Sequence, residues 1–215
     1  MTTNIKDPLV WIDCEMTGLE LGVDELCEVA VVITDFDLNI VDPGIDIIIR
    51  PSDRALDNMG EYVTNMHKAS GLLELLDQGV SVAEAQDRVV EYIKSFVPQA
   101  KKAPLAGNSV ATDKAFLEIQ MPAVIDHLHY RIVDVSSVKE LARRWFPRTY
   151  FSSPDKNGGH RALADILESI RELSYYRAIL FPEGEGPTSE ECKATAQAVT
   201  ESFAVHLGQD VSEEN

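Results

Sequence analysis

Apolar residues along the first fifty positions recur in short, almost continuous runs, as they do in buried strands. The runs at 9–15, 25–35 and 39–51 are rich in Val and Ile and are separated by polar segments. Pro43-Gly44 interrupts the third run, where a bulge or a sheet edge is expected. Short connections favour antiparallel pairing of consecutive strands. The beginning of the chain therefore predicts an antiparallel meander of three strands.

Beyond residue 60 the spacing of the apolar residues becomes helical. A short element near 60–67 and helical spacing at 69–79 precede a long helix, which begins with the capping pattern at 81–84 and continues to about Val97. This part of the chain predicts helices that cover the meander.

The second half of the chain alternates strands and helices. Short strands at 104–109 and 131–136 are each followed by a helical pattern, and the second helix is expected to begin with a capping pattern at 137–140. A polar, glycine-rich loop at 152–159 precedes a long helix that continues to Leu180. The sequence therefore predicts an α/β fold, in which parallel strands extend the meander into a mixed sheet flanked by helices.

The length and composition of the chain suit one domain with a substantial core, since 45% of its 215 residues are hydrophobic. We assign residues 1–182 to this domain and residues 183–215 to an acidic extension, a Pro/Gly/Glu linker followed by a helix or a disordered segment. No run reaches the roughly 18 apolar residues of a membrane span, and a signal-peptide pattern is missing, so a cytoplasmic protein is expected. Three scattered cysteines predict neither disulfides nor a zinc site.

The net charge of −17 argues against a long nucleic acid as the partner, because tight binding to a polymer requires many Lys and Arg contacts to phosphates. Residues 183–215 hold eight acidic residues and one base, Lys193, so −7 of the charge lies in the extension and −10 in the domain. The charge of the domain is compatible with a local site in which bound divalent cations reverse the electrostatic field. The charge thus favours a small substrate.

Four carboxylates stand at positions that suit a site. Asp13 and Glu15 are two residues apart on the first strand, so both point to the same face. Such a pair alone is more often the solvated face of a strand, but here the strand is hydrophobic and Gly18 follows, where a ligand could approach the backbone. Asp113 and Asp165 are expected in the first turns of two helices, where an acid also commonly caps the helix or complements its dipole.

His160 ends the polar loop, five residues before Asp165. A single loop histidine is more often an ordinary surface residue, but four carboxylates and one histidine together suit phosphodiester hydrolysis. Oxygen ligands favour Mg²⁺ or Mn²⁺ over zinc. Two such ions can polarise the phosphate and activate a water molecule, and a histidine can take a proton from that water.

Three segments resemble the motifs of the DEDDh group of 3′-to-5′ exonucleases, which has a ribonuclease-H-like fold: WIDCEMTGL at 11–19, GNSVATDKAFL at 107–117 and HRALADI at 160–166. Three others resemble the oligoribonuclease family within that group: HKASGL at 67–72, HYRIVDVSSVKELARRW at 129–145 and SYYRAIL at 174–180. The segments are collinear, so the chain is identified as a member of that family. The resemblance implies that two divalent cations, Mg²⁺ or Mn²⁺, bind to four carboxylates, those of Asp13, Glu15, Asp113 and Asp165.

The resemblance also implies further roles at the 3′ end of a substrate. His160 would be the general base, and Leu19 would separate the two bases of a dinucleotide. Tyr62 and His67 would pack near a base. The family usually has Trp at the position of Tyr62, so a smaller stacking energy is expected here than the ~1–3 kcal/mol typical per base.

At the other end, the resemblance implies that Ser109, Arg131 and Ser136 bind the terminal 5′-phosphate and that Tyr130 reaches the site from a second subunit of a homodimer. Arg131 could form paired hydrogen bonds with phosphate, although a salt bridge at the rim is its more ordinary role. The implied substrates are short RNA oligonucleotides, above all 5′-phosphorylated dinucleotides.

Two alternatives remain open at this point. A DNA-proofreading type of exonuclease would share the four acids and the histidine, but the segments at 67–72 and 129–145 argue against it. A noncatalytic nucleotide-binding protein could keep the fold, but the presence of all five chemical residues argues against that alternative.

Overall fold

The computed structural model describes residues 5–156, 159–181, 184, 186–204 and 206. The chain divides into two compact units, one that ends at Tyr176 and one that begins at Arg177. The predicted boundary between domain and extension, at residues 182 and 183, lies outside the described residues, as do residues 157 and 158 of the predicted polar loop.

A mixed sheet of five strands, in the order β3-β2-β1-β4-β5, forms the centre of the described part of the first unit. The strands are β1 (Leu9–Met16), β2 (Leu26–Thr34), β3 (Ile45–Ile48), β4 (Pro104–Gly107) and β5 (His129–Asp134). β1, β2 and β3 pair antiparallel, whereas β4 is parallel to both β1 and β5. The predicted meander with parallel additions is thus confirmed.

Helices surround this sheet: α1 (Asp53–Asn58), α2 (Glu61–Ala69), α3 (Val82–Phe96), α4 (Ala111–Gln120), α5 (Pro122–His127), α6 (Val135–Trp145), α7 (Pro147–Phe151) and α8 (Ala162–Leu180). The second unit contains α9 (Ser189–Phe203), which begins with a capping box of Thr188 and Glu191. Across the described residues, no helix combines the length and the apolar content needed to cross a lipid bilayer.

Several local predictions were wrong. The helical spacing at 69–79 forms a short 3-10 helix over Leu73–Gln78, and α1, α5 and α7 were not predicted. α6 begins two residues before the expected cap at Ser137, because the Asp134 carboxylate accepts a hydrogen bond from the Ser136 N–H at 2.8 Å and caps the helix. The preceding strand accordingly ends at Asp134 instead of residue 136.

β1 lies in the middle of the sheet, with β2 on one side and β4 on the other. Every residue of β2 is buried. The indole N–H of Trp11, which is fully buried, donates to Thr34 Oγ1 at 2.9 Å and joins β1 to the end of β2. The residues of α3 that face the core, Ala85, Val89 and Ile93, are buried with those of the sheet. Side chains on β1 are therefore attached to the most constrained backbone of the unit.

Candidate active site

Two acids on β1, Asp13 and Glu15, flank the backbone group to which an acid on α4 is bound. Glu15 and Asp113 are buried, and Asp13 is half-buried. The backbone N–H of Cys14, between the two acids of β1, donates to Asp113 Oδ1 at 3.0 Å. This bond joins the first turn of α4 to the central strand. The acids that the sequence placed on a strand and a helix start are therefore neighbours.

The second half of the cluster comes from the beginning of α8. Ligand atoms of Glu15, His160 and Asp165 all lie within 4.8 Å of one another. Asp165 is in the first turn of α8, and its N–H donates to the Arg161 carbonyl at 3.0 Å. His160 has a positive φ of 47°, a left-handed conformation that is uncommon for a residue other than glycine. Three of the five predicted residues thus meet at a single point.

The carboxylates repel one another in a setting with little water. Burial, followed by the charges of Asp113, Asp165 and Glu15, holds the pKa of Asp13 well above its usual range. Burial and the charge of Glu28 raise the pKa of Glu15 to about 7, although Arg161 opposes the shift. The charges of the other three acids thus oppose ionisation of Asp13, which is two residues from Glu15 on the same strand.

The other two acids show the same tendency. Burial raises the pKa of Asp113 to about 6, and hydrogen bonds from backbone N–H groups oppose this shift. Burial and Glu168 raise the pKa of Asp165, whereas His160 and Lys156 lower it. A concentration of carboxylate oxygens with one imidazole, in which each acid resists ionisation, fits a bound divalent cation, since the cation would remove the repulsion.

The loop that follows β1 presents Leu19, whose side chain is 75% exposed. The loop closes around Asp24, a buried carboxylate that accepts from Thr17 Oγ1 at 2.9 Å and from the Glu20 N–H at 2.8 Å. A Cβ atom at Gly18 would lie 2.4 Å from Asp24 Oδ2, so a glycine lets the carboxylate approach the backbone. Asp24 was not predicted from the sequence, where only its place after a turn set it apart.

The two aromatic residues predicted on α2 have opposite environments. Tyr62 is 79% exposed, whereas His67 is fully buried. The Nε2–H of His67 donates to the Met16 carbonyl at 2.8 Å, and its Nδ1 lies 3.9 Å from Glu15 Oε2. Nδ1 has no hydrogen-bond partner among the described residues. Tyr62 is thus exposed to solvent, while His67 is buried against the end of β1 and lies next to Glu15.

A second polar cluster lies where β4 and β5 end side by side, and we call Ser109 and Ser136 the serine pair. The N–H of Ser109 donates to Ser136 Oγ at 3.0 Å and to Asp134 Oδ1 at 3.0 Å, and the two hydroxyl oxygens are 3.0 Å apart. Asn108 Oδ1 accepts from Ser136 Oγ at 3.1 Å. The ends of adjacent parallel strands are a common place for ligand-binding groups.

The remaining predicted residues lie on β5, at the edge of the sheet. The Nε–H of Arg131 donates to the Tyr130 hydroxyl at 3.1 Å, and its guanidinium lies 5.5 Å from the centre of the Tyr130 ring. Tyr130 is 75% exposed. The structure thus brings Ser109 and Ser136 together, and it pairs Arg131 with Tyr130.

The fold and the clustered carboxylates define an exonuclease of the ribonuclease-H-like class. The exonuclease family model RNase_T matches residues 10–173. Exonuclease I from Methylocaldum szegediense has the same fold at 17% identity, with a TM-score of 0.59, and the E. coli exonuclease I complex with single-stranded DNA has it at 13% identity, with a TM-score of 0.65. The chain covers 41% of each of those structures, and 80% and 81% of the chain is aligned.

More similar relatives cover almost the whole chain. Oligoribonuclease from Leifsonia xyli is 59% identical over 94% of this chain and 98% of the relative. That from Cutibacterium acnes is 54% identical over 94% and 100%, and that from Streptomyces coelicolor is 57% identical over 89% and 96%. The chain belongs to the oligoribonuclease family of 3′-to-5′ exoribonucleases.

Proposed function

We propose that this exoribonuclease acts on very short RNA, above all on 5′-phosphorylated dinucleotides, and releases 5′-mononucleotides. The observation that carries the proposal is that ligand atoms of Glu15, His160 and Asp165 lie within 4.8 Å of one another, beside the half-buried Asp13 and the buried Asp113. This combination supplies cation ligands and a base at one point.

In the proposed site, Asp13, Glu15, Asp113 and Asp165 hold two divalent cations, Mg²⁺ or Mn²⁺. Carboxylate oxygens are the ligands that these ions prefer. When bound, the cations supply Lewis-acid polarisation of the phosphodiester and of the attacking water. Two of the carboxylates are attached to the central strand β1, and the other two to the first turns of α4 and α8, so regular elements limit the motion of the reacting groups.

His160 provides the proton chemistry of the proposed reaction. Its imidazole accepts a proton from the water whose oxygen attacks phosphorus, while the bond from phosphorus to the 3′-oxygen of the preceding nucleotide breaks. The 3′-terminal nucleotide leaves as a 5′-monophosphate, and the 3′-oxygen takes a proton from solvent. The exposed position of His160 allows water to reach it.

Substrate recognition is proposed to involve both ends of a dinucleotide. Leu19 separates the two bases from its loop, while Tyr62 offers an exposed ring for stacking and His67 supports the same side of the site from its buried position at the end of β1. At the opposite end Ser109, Ser136 and Arg131 bind the 5′-phosphate. Binding of both ends favours a substrate of fixed length, in agreement with an acidic chain that has few cations to follow a long polymer.

We also propose a homodimer in which Tyr130 contributes to the site of the partner. Large exposed apolar side chains are concentrated on β5, α6 and α7: Tyr130, Ile132, Leu141, Trp145, Phe146 and Phe151. Apolar surface of this kind, with several aromatic residues and an edge strand, is typical of protein interfaces. A cytoplasmic location, and residues 1–182 as the catalytic domain, complete the proposal.

The experiment that tests this function compares three substrates: a 5′-phosphorylated RNA dinucleotide, a seven-nucleotide RNA and a DNA strand of the same seven-nucleotide sequence. Turnover is measured with Mn²⁺, with Mg²⁺ and with EDTA. We expect the dinucleotide to be cut fastest and EDTA to stop the reaction. Faster cleavage of the DNA or of the longer RNA would refute the proposed selection for short RNA. Binding of the dinucleotide that becomes tighter with metal but leads to no turnover would support a noncatalytic protein.

A further inference from the structure

Arg161, the residue after His160, is bound to a carboxylate within the sheet. Its Nε and Nη2 each lie 2.8 Å from Glu28 Oε1, and the N–H of Ala162 donates to Glu28 Oε2 at 3.1 Å. Arg161 Nη2 also lies 3.4 Å from Asp46 Oδ2. Both oxygens of Glu28 are therefore held by the beginning of α8, in charge-assisted hydrogen bonds.

Glu28 is a fully buried acid, with 0% of its surface exposed. A buried carboxylate without a cation nearby would be strongly unfavourable, so the ion pair with Glu28 holds Arg161 in this position. Glu28 also stands opposite Glu15 in the antiparallel pairing of β1 and β2. The ion pair thus fixes the chain directly before α8 to the strand next to the one that carries Glu15.

His160 is the residue that this attachment reaches first. Its φ of 47° lies in a region that L-residues other than glycine rarely adopt, and such a conformation persists only where the surroundings hold it. The bond between His160 and Arg161 connects this strained residue to the Glu28 ion pair. On the other side of His160 the polar loop has an ion pair of its own, between Lys156 Nζ and the buried Glu172 at 3.0 Å, but Lys156 is four residues from His160, whereas Arg161 is adjacent to it.

We infer that Arg161 is a positioning residue, whose ion pair with Glu28 holds His160 beside Glu15 and Asp165. The inference rests on the proposed role of His160 as the base. It explains why His160 stands next to the acids although it ends a polar loop. If Arg161 only stabilised α8, its replacement would lower kcat whether or not His160 were present. A positioning role instead predicts a loss of kcat that depends on His160.

The test is a double-mutant cycle of Arg161→Gln and His160→Ala, with turnover of the 5′-phosphorylated RNA dinucleotide measured in Mn²⁺. Arg161→Gln should lower kcat by about tenfold or more and change KM by less than about threefold, because it misplaces the base without removing a substrate contact. In the His160→Ala background the same substitution should change kcat by less than about twofold. Arg161→Lys, which keeps the charge but loses the paired hydrogen bonds, should give an intermediate kcat.

Two further variants control for folding and for loss of an arginine. Glu28→Gln removes the partner of Arg161 and should reproduce the selective loss of kcat. Arg88→Gln removes an exposed ion pair with Glu84 on α3 and should leave kcat unchanged. Circular dichroism and thermal unfolding establish that each variant is folded, and Arg161→Lys decides the question if the larger changes prevent folding.

Several outcomes would overturn the inference while the proposed function stands. The first two are an unchanged kcat in Arg161→Gln and an increase in KM alone. The third is an equal loss of kcat in the wild-type and His160→Ala backgrounds, because Arg161 would then act through Asp165 or the fold and not through His160. A wild-type protein that does not cut the dinucleotide would overturn the proposed function together with the inference.

Discussion

The acid cluster, which consists of Asp13, Glu15, Asp113 and Asp165, is more deeply buried than the serine pair. Asp13 and Glu15 stand on the central strand, with neighbouring strands on both sides. The serine pair lies at the end of β4 and β5, and Tyr130 is exposed on the edge strand. The acids are buried or half-buried and repel one another, while the serine pair is more open to solvent. The difference agrees with our proposal that one chain assembles the reacting groups and that a partner subunit completes the binding of the 5′-phosphate.

α4 connects these two regions. Ser109 precedes the helix, and Asp113 lies in its first turn. Ser109 has a positive φ of 52°, and its N–H is held by the side chains of Asp134 and Ser136. A displacement of the serine pair would therefore reach Asp113 through one turn of helix. Variants in the two regions should nevertheless differ in size and kind of effect.

The largest effect is expected from Asp13→Ala. Loss of one carboxylate from the cluster should lower metal-dependent turnover by on the order of a thousandfold, equivalent to ~4 kcal/mol of transition-state stabilisation. The fold should persist, and the metal-free variant should unfold at a higher temperature than the wild type, because removal of a repelled acid relieves strain. Turnover and thermal unfolding measure the two effects.

Asp126→Ala is a matched control for this variant, since Asp126 is an exposed acid on α5. It should leave turnover unchanged. Near-wild-type turnover of Asp13→Ala would remove the acid cluster from the mechanism and would abolish the distinction between the two regions.

His160→Ala should have the next largest effect. A general base typically contributes at least about a hundredfold to a reaction, so kcat should decrease by roughly that factor with little change in KM. Binding of Mn²⁺, followed by calorimetry, should remain, because the four carboxylates are intact. An increase in KM at constant kcat would instead assign His160 to substrate binding.

The acids of the site were predictable because their positions follow from local rules. Alternation along a strand places Asp13 and Glu15 on one face. The turn after β4 places Asp113 near the carboxyl ends of the parallel strands. The meander and the parallel strands follow equally from the spacing of apolar residues. Motif resemblance then associated His160 and Asp165 with these acids, and the structure places Glu15, His160 and Asp165 together.

The supporting contacts were not predictable, because they join residues that are distant in the chain. Glu28 and Ala162 are separated by 134 positions, and nothing in the local sequence pairs them. The burial of His67 against the end of β1 has the same cause, since its partner Met16 lies 51 positions away. Asp134 misled the prediction of α6 because a strand residue also serves as the helix cap.

A smaller effect is expected from Tyr130→Ala, which removes an exposed side chain from the edge strand β5. Loss of the exposed ring should lower kcat/KM for the dinucleotide by about tenfold, in the range of one stacking contact of ~1–3 kcal/mol. Dimers that pair this variant with Asp13→Ala should recover some activity, because one site would then combine an intact acid cluster with an intact Tyr130 from the partner. Purified mixed dimers and the two parent variants are compared. No recovery would mean that Tyr130 acts within its own chain or through folding.

The smallest effect concerns pH and stability. It should come from the acid cluster and from Asp46, whose pKa is raised to about 6 by burial and by Glu28, and not from the serine pair. The pKa of Glu15 rises from 4.5 to about 7 in the folded protein, and that of Asp113 rises from 3.8 to about 6. Between these values the folded state binds more protons than the unfolded state, so stability of the metal-free protein should decrease as pH rises through that range. Mg²⁺ should oppose the decrease at pH 8 more than at pH 5, because the ionised acids bind it.

Thermal unfolding in EDTA and in Mg²⁺ across this pH range measures the difference, which we expect to be a few degrees. Glu15→Gln should reduce the slope with pH, because it removes one acid whose folded pKa is raised. Ser109→Ala should keep the slope, since the serine pair does not titrate in this range. Parallel curves in EDTA and in Mg²⁺ would mean that the acids with raised pKa values do not bind the cation. An equal change of slope in Glu15→Gln and Ser109→Ala would mean that the acid cluster and the serine pair are coupled through α4.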